Sequence, residues 1–82
     1  MLALPVHTLF IGGLPPEANV ELLRRLFGGI SGLRSARVVT DRDGGCRGFG
    51  YVTFDSRDAV YKARELDGQA LGPCRLRVAP AR

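Results

Sequence analysis

The 82-residue sequence predicts an α+β fold of order βαββαβ, a four-stranded antiparallel sheet with two helices on one face. Three observations predict it. Four short stretches between turn-forming residues read as strands, in which successive side chains leave opposite faces. Two others carry apolar residues at the three-to-four spacing of a helix that buries one stripe, and each follows a residue able to cap it. Finally, the two helical stretches each link two strands, and right-handed crossovers then put both helices on the same side of the sheet.

Met1 to Val6 reads as a short lead-in before a single domain over residues 7–82. Thr8 to Gly12 forms the first strand, with Leu9 and Ile11 on one face and Thr8 and Phe10 on the other. Gly13-Leu14-Pro15-Pro16 ends it. Asn19 caps a helix that runs to about Phe27 on a stripe of Val20, Leu23, Leu26 and Phe27. Glu21 lies in its first turn, where the helix dipole favours an acid, and Gly28-Gly29 stops it. In the second strand, Leu33 to Thr40, Ala36 and Val38 alternate with Arg37 and Val39. The turn-forming loop Asp41 to Cys46 leads to the third strand, Arg47 to Phe54. Ser56 caps the second helix, Arg57 to Leu66, with Ala59, Val60, Ala63 and Leu66 inward and Tyr61 half-exposed off that stripe. Asp67-Gly68 closes it, and residues 69–73 form a short connection. The last strand, Cys74 to Ala79, turns Leu76 and Val78 inward and Arg75, Arg77 and Ala79 outward. This order is the ferredoxin-like split βαβ arrangement. Its helix stripes and inward strand faces make one core, which leaves the opposite face of the sheet uncovered.

Composition narrows the function classes. The hydrophobic content of 45% with 24% charged residues belongs to a globular chain rather than a disordered one. A net charge of +4, with eleven of the twelve basic residues arginine, admits nucleic acid as a partner without requiring it. Cys46, Cys74 and His7 have no spacing that builds a tetrahedral zinc site, so no metal or cofactor is expected. The opening MLALPVHTLF lacks the pattern of a secretory leader, and no apolar run reaches the ~20 residues of a membrane helix. Both cysteines are expected as free thiols in a reducing, intracellular setting. A monomer is expected.

The most informative stretch is Arg47-Gly48-Phe49-Gly50-Tyr51-Val52-Thr53-Phe54. Strand alternation puts Arg47, Phe49, Tyr51 and Thr53 on one face and Gly48, Gly50, Val52 and Phe54 on the other. Two readings follow. The strand is buried on both faces, or it offers a cation and two rings to flat, negatively charged nucleotides.

These eight residues fit K/R-G-F/Y-G/A-F-V-x-F/Y, with Tyr51 at a position written Phe, and so resemble the longer signature of the RNA recognition motif. Leu9-Phe10-Ile11-Gly12-Gly13-Leu14 is similar to that family's shorter signature, with Gly13 in place of an Asn often found there. The resemblance spans roughly Thr8 to Ala81. It implies a single-stranded RNA-binding domain in which Phe10 and Tyr51 each stack on a base, Phe49 leans on riboses between them and Arg47 pairs with a phosphate. Family placement puts Arg37 and Val39 on the open face. Arg37, Arg75 and Arg77 are further candidate contacts, or simply keep an exposed sheet soluble. Groups from Ala79 to Arg82 are expected to read base edges. Single-stranded DNA fits the same rings.

Two other function classes compete. Some relatives of this family bind proteins through the helices or the sheet, which keeps a protein partner on the helical face open. A small enzyme of the same shape, such as an acylphosphatase, needs an anion cradle of backbone amides. Pro15 and Pro16 interrupt the loop that would supply it, and His7 stands in no catalytic pattern, so no catalysis is expected. Asp41 and Asp43, with Arg42 between them, do not form an ion-binding loop. Their loop is either a flap over ligand or a solvated hairpin turn.

Overall fold

Local signals set both helices. The computed structural model describes residues 7–81, so the expected lead-in and Arg82 lie outside the described residues. Asn19 takes an extended backbone, and its side-chain oxygen accepts the Leu22 amide at 3.0 Å at the start of α1, Val20–Phe27. Ser56 does the same for the Ala59 amide at 3.2 Å at the start of α2, Arg57–Arg64. Such caps satisfy amides that have no intrahelical partner and stabilise a helix by about 1 kcal/mol each. α2 ends two residues before the expected Leu66. The amides of Glu65, Leu66 and Asp67 bond the carbonyls three residues back at 3.0–3.2 Å, a tighter winding than the α-helix. Leu66 still packs against the core.

The strands are β1 His7–Gly12, β2 Leu33–Thr40, β3 Cys46–Phe54, β4 Ala70–Leu71, β5 Cys74–Arg75 and β6 Arg77–Pro80. β2, β3, β1 and β6 lie side by side in that order as one antiparallel sheet, while β4 and β5 form a separate hairpin. The chain thus has the ferredoxin-like βαββαβ fold with a hairpin added before the last strand. Both helices pack on one face: α1 against β2, and α2 against β1, β3 and β6. Between the layers lie Leu9, Ile11, Leu23, Phe27, Val52, Phe54, Ala59, Ala63, Leu76 and Val78, all buried. Leu22 and Leu26 flank the buried pair Leu23 and Phe27 on α1. Val20, expected in this stripe, stays outside the cluster, and Leu22 takes its place.

The last strand differs most from expectation. Cys74 to Ala79 alternates as one strand would, yet Leu76 breaks it. The Leu76 amide bonds the Gln69 carbonyl at 2.8 Å, and the Leu76 carbonyl accepts the Gly68 amide at 2.7 Å. The first half of the stretch therefore pairs with residues 70–71 instead of the main sheet. Gly13 accompanies this arrangement. It adopts φ 76°, and a Cβ there would lie 1.9 Å from the Arg75 carbonyl oxygen, so the side chain of an Asn has no room.

Candidate nucleic-acid interface

β1 and β3 are the central strands, and their register builds the uncovered face. Phe10 is opposite Tyr51 on one side and Ala79 on the other; Tyr51 in turn is opposite Arg37. One row across the sheet therefore reads Ala79, Phe10, Tyr51, Arg37. The next row reads Arg77, Gly12, Phe49. Phe10 and Phe49 stack with ring centres 5.6 Å apart and planes inclined by 30°. Tyr51 stands edge-on to both, at 6.0 Å from Phe10 and 6.3 Å from Phe49. The rings are half-buried rather than bare because they cover one another, while the core lies behind the sheet.

Irregularities in the sheet aim the surrounding groups. Val38 faces Gly50 and Thr40 faces Cys46, so β3 spends two more residues than β2 over this interval. Gly48 absorbs the excess with φ 97°. An even excess preserves the alternation, which keeps Cys46 buried and Arg47 exposed. Arg37 lies over the Tyr51 ring with its guanidinium carbon 5.2 Å from the ring centre, a cation–π arrangement. Beside this pair is a hollow of about 670 Å³ lined by Thr8, Ser35, Ala36, Arg37, Tyr51, Thr53 and Ala81. The hydroxyls of Thr8 and Thr53 are 3.1 Å apart, and the Ala81 amide bonds the Thr8 carbonyl, which holds the tail along β1.

Residues 9–77 match the model of the RNA recognition motif family. The chain belongs to the RNA recognition motif family. It is 42% identical over 78 residues to the small ribosomal subunit protein mS86 of Arabidopsis thaliana, covering 87% of this chain and 50% of that protein. Among solved structures, the second RNA recognition motif domain of the yeast poly(U)-binding protein superposes with a TM-score of 0.84 at 33% identity, covering 93% of this chain and 94% of that one. The Sex-lethal protein/RNA complex superposes with a TM-score of 0.85 at 28% identity, covering 92% of this chain and 46% of that one. The chain spans half or less of the length of the curated relatives it matches.

Within this RNA recognition motif, Phe10, Phe49, Tyr51, Arg37, Arg77 and Ala79 share one face of the sheet. Arg47 lies at its rim, in a hollow shared with Thr40, Asp41, Arg42 and Asp43. Arg75 does not join them. It belongs to the β4–β5 hairpin, and its guanidinium donates to the Gly68 carbonyl at 2.9 Å. That correction follows from the break at Leu76. Asp41 Oδ1 accepts the amides of Asp43 at 2.9 Å and Gly45 at 3.0 Å, so a local turn orders this loop. Thr8, Ser35 and Thr53 were missed as candidate contacts. Their signal was legible for Thr8 and Thr53, which alternate in phase with Phe10 and Tyr51.

Proposed function

We propose that this domain binds single-stranded RNA on the open face of its sheet. Phe10 and Tyr51 each stack on a base, Phe49 packs against the riboses between them, and Arg47 pairs with a phosphate at the rim. The observation that carries this reading is the cluster of three rings within 5.6–6.3 Å on the face opposite the core. Stacking contributes about 1–3 kcal/mol per base. Arg37 and Arg77 flank the rings as further phosphate or base contacts; Arg75, bound to Gly68, drops out. Base edges are read by Ala79 and the tail together with the hydroxyls of Thr8, Ser35 and Thr53 in the adjoining hollow.

The reading takes residues 7–82 as one monomeric, intracellular domain that needs no cofactor and catalyses nothing. Free Cys46 and Cys74 suit a reducing compartment. The test is an amide NMR titration with a degenerate single-stranded RNA pool, repeated with the matching DNA pool. Shifts concentrated at Leu9–Gly12, Arg47–Thr53 and Arg77–Ala81 are expected. A stronger response to RNA than to DNA means that the 2′-hydroxyl is read. Silence from these residues at high RNA concentration rejects the reading.

A further inference from the structure

Another hollow, of about 270 Å³, lies where the last turn of α1 meets the edge strand β2. It is lined by Arg24, Gly28, Leu33, Arg34, Ser35 and Ala36, two arginines and no carboxylate. Ser35 and Ala36 also line the hollow beside Tyr51. The two hollows therefore adjoin at the β2 edge, one beside the ring platform and the other lined by Arg24 and Arg34.

A bulge creates this corner. Leu33 faces Phe54 and Ser35 faces Thr53, so Arg34 is an extra residue with no partner across the sheet. Bulges bend an edge strand and re-aim a side chain. Here the bulge lets Leu33 pack on the core while Ser35 joins the open face, and Arg34 lines the same hollow as Arg24 from the helix. Both arginines are exposed, so neither is committed to the core.

We infer that bound RNA does not stop at the sheet: its chain continues past Tyr51 and over the β2 edge at Ser35 and Ala36, and Arg24 and Arg34 pair with its next phosphates. This rests on the platform reading above. The occupant follows from charge: two arginines on one hollow with no carboxylate in its lining suit phosphates, which arginine binds in a planar fork.

The test compares degenerate single-stranded RNA pools of about four and about twelve nucleotides, a short and a long length within the ~4–16-nucleotide range of single-strand site sizes. Affinity is measured against salt concentration for the wild type, for Arg24→Gln/Arg34→Gln, and for Arg25→Gln/Arg64→Gln. The last pair removes the same charge from exposed helix positions outside this hollow. Glutamine keeps the apolar stems, and native amide spectra confirm the fold of each variant. The expected result for Arg24→Gln/Arg34→Gln is an affinity for the long pool about tenfold weaker at physiological salt, with a log–log salt slope shallower by about 1.4, the share of two phosphates. Its affinity for the short pool stays at the wild-type value. The inference is overturned if the long pool is weakened no more than by the control pair, or if both pools weaken equally. A wild type that binds neither pool rejects the platform reading itself.

Discussion

The Phe10 ring lies over Gly12, close enough that a Cβ on Gly12 would sit 2.9 Å from Phe10 Cε2. Gly12 is the residue opposite Phe49, so the missing side chain lets the Phe10 ring lean diagonally across β1 onto Phe49. The glycine acts on the platform and not on the core.

Gly12→Ala is therefore expected to displace the Phe10 ring while the fold persists, since the obstructing atom is the far end of a side chain. RNA affinity should fall by about 1 kcal/mol, the lower end of one stacked base, or roughly fivefold in Kd. Binding titrations beside thermal melts check it. Unchanged affinity would mean that the Phe10–Phe49 stack is not used.

Removing the rings themselves should do more. Phe10→Ala and Tyr51→Ala are each expected to weaken RNA binding by about 1–3 kcal/mol. Phe49→Ala should also weaken it, by less, because Phe49 meets sugars. All three should keep native amide spectra, as none of the rings belongs to the buried cluster. Normal binding by these variants removes the sheet face as the site.

Phe54 gives the opposite outcome. It leaves the other face of β3, is fully buried and packs edge-on against Phe27 at 6.3 Å. Phe54→Ala should cost about 3–5 kcal/mol of stability by urea titration, through lost burial and the cavity left behind. A Phe54→Ala protein as stable as the wild type would contradict the register of β3.

Asp67 tests the support of the outer edge. Its carboxylate accepts the amide of buried Val78 at 2.8 Å, a bond that holds β6 where, among the described residues, it is the edge of the sheet. Asp67→Ala leaves that amide unsatisfied and should destabilise the fold by about 1–3 kcal/mol. Asp67→Asn, which keeps an acceptor oxygen, should destabilise it less. Equal losses from both substitutions would show that the hydrogen bond is not the cause.

Much of this molecule is local information. Alternation within Arg47–Phe54 assigns Phe49 and Tyr51 to one face and Val52 and Phe54 to the other, because a strand has only two faces. Asn19 and Ser56 mark the starts of α1 and α2, because caps act within three residues. What escaped the sequence depends on partners distant along the chain. Cys74 to Ala79 alternates smoothly, but where its hydrogen bonds go is decided by Gln69 and Gly68, which take Leu76 and carry Arg75 away from the sheet. Alternation likewise says nothing of a bulge at Arg34, because the extra residue is defined only against Thr53 and Phe54 on β3. Local signals suffice for both helices, the first three strands and the face that the rings share. Only the tertiary structure decided which arginines stand beside those rings, because register and edge pairing are set between strands and not within them.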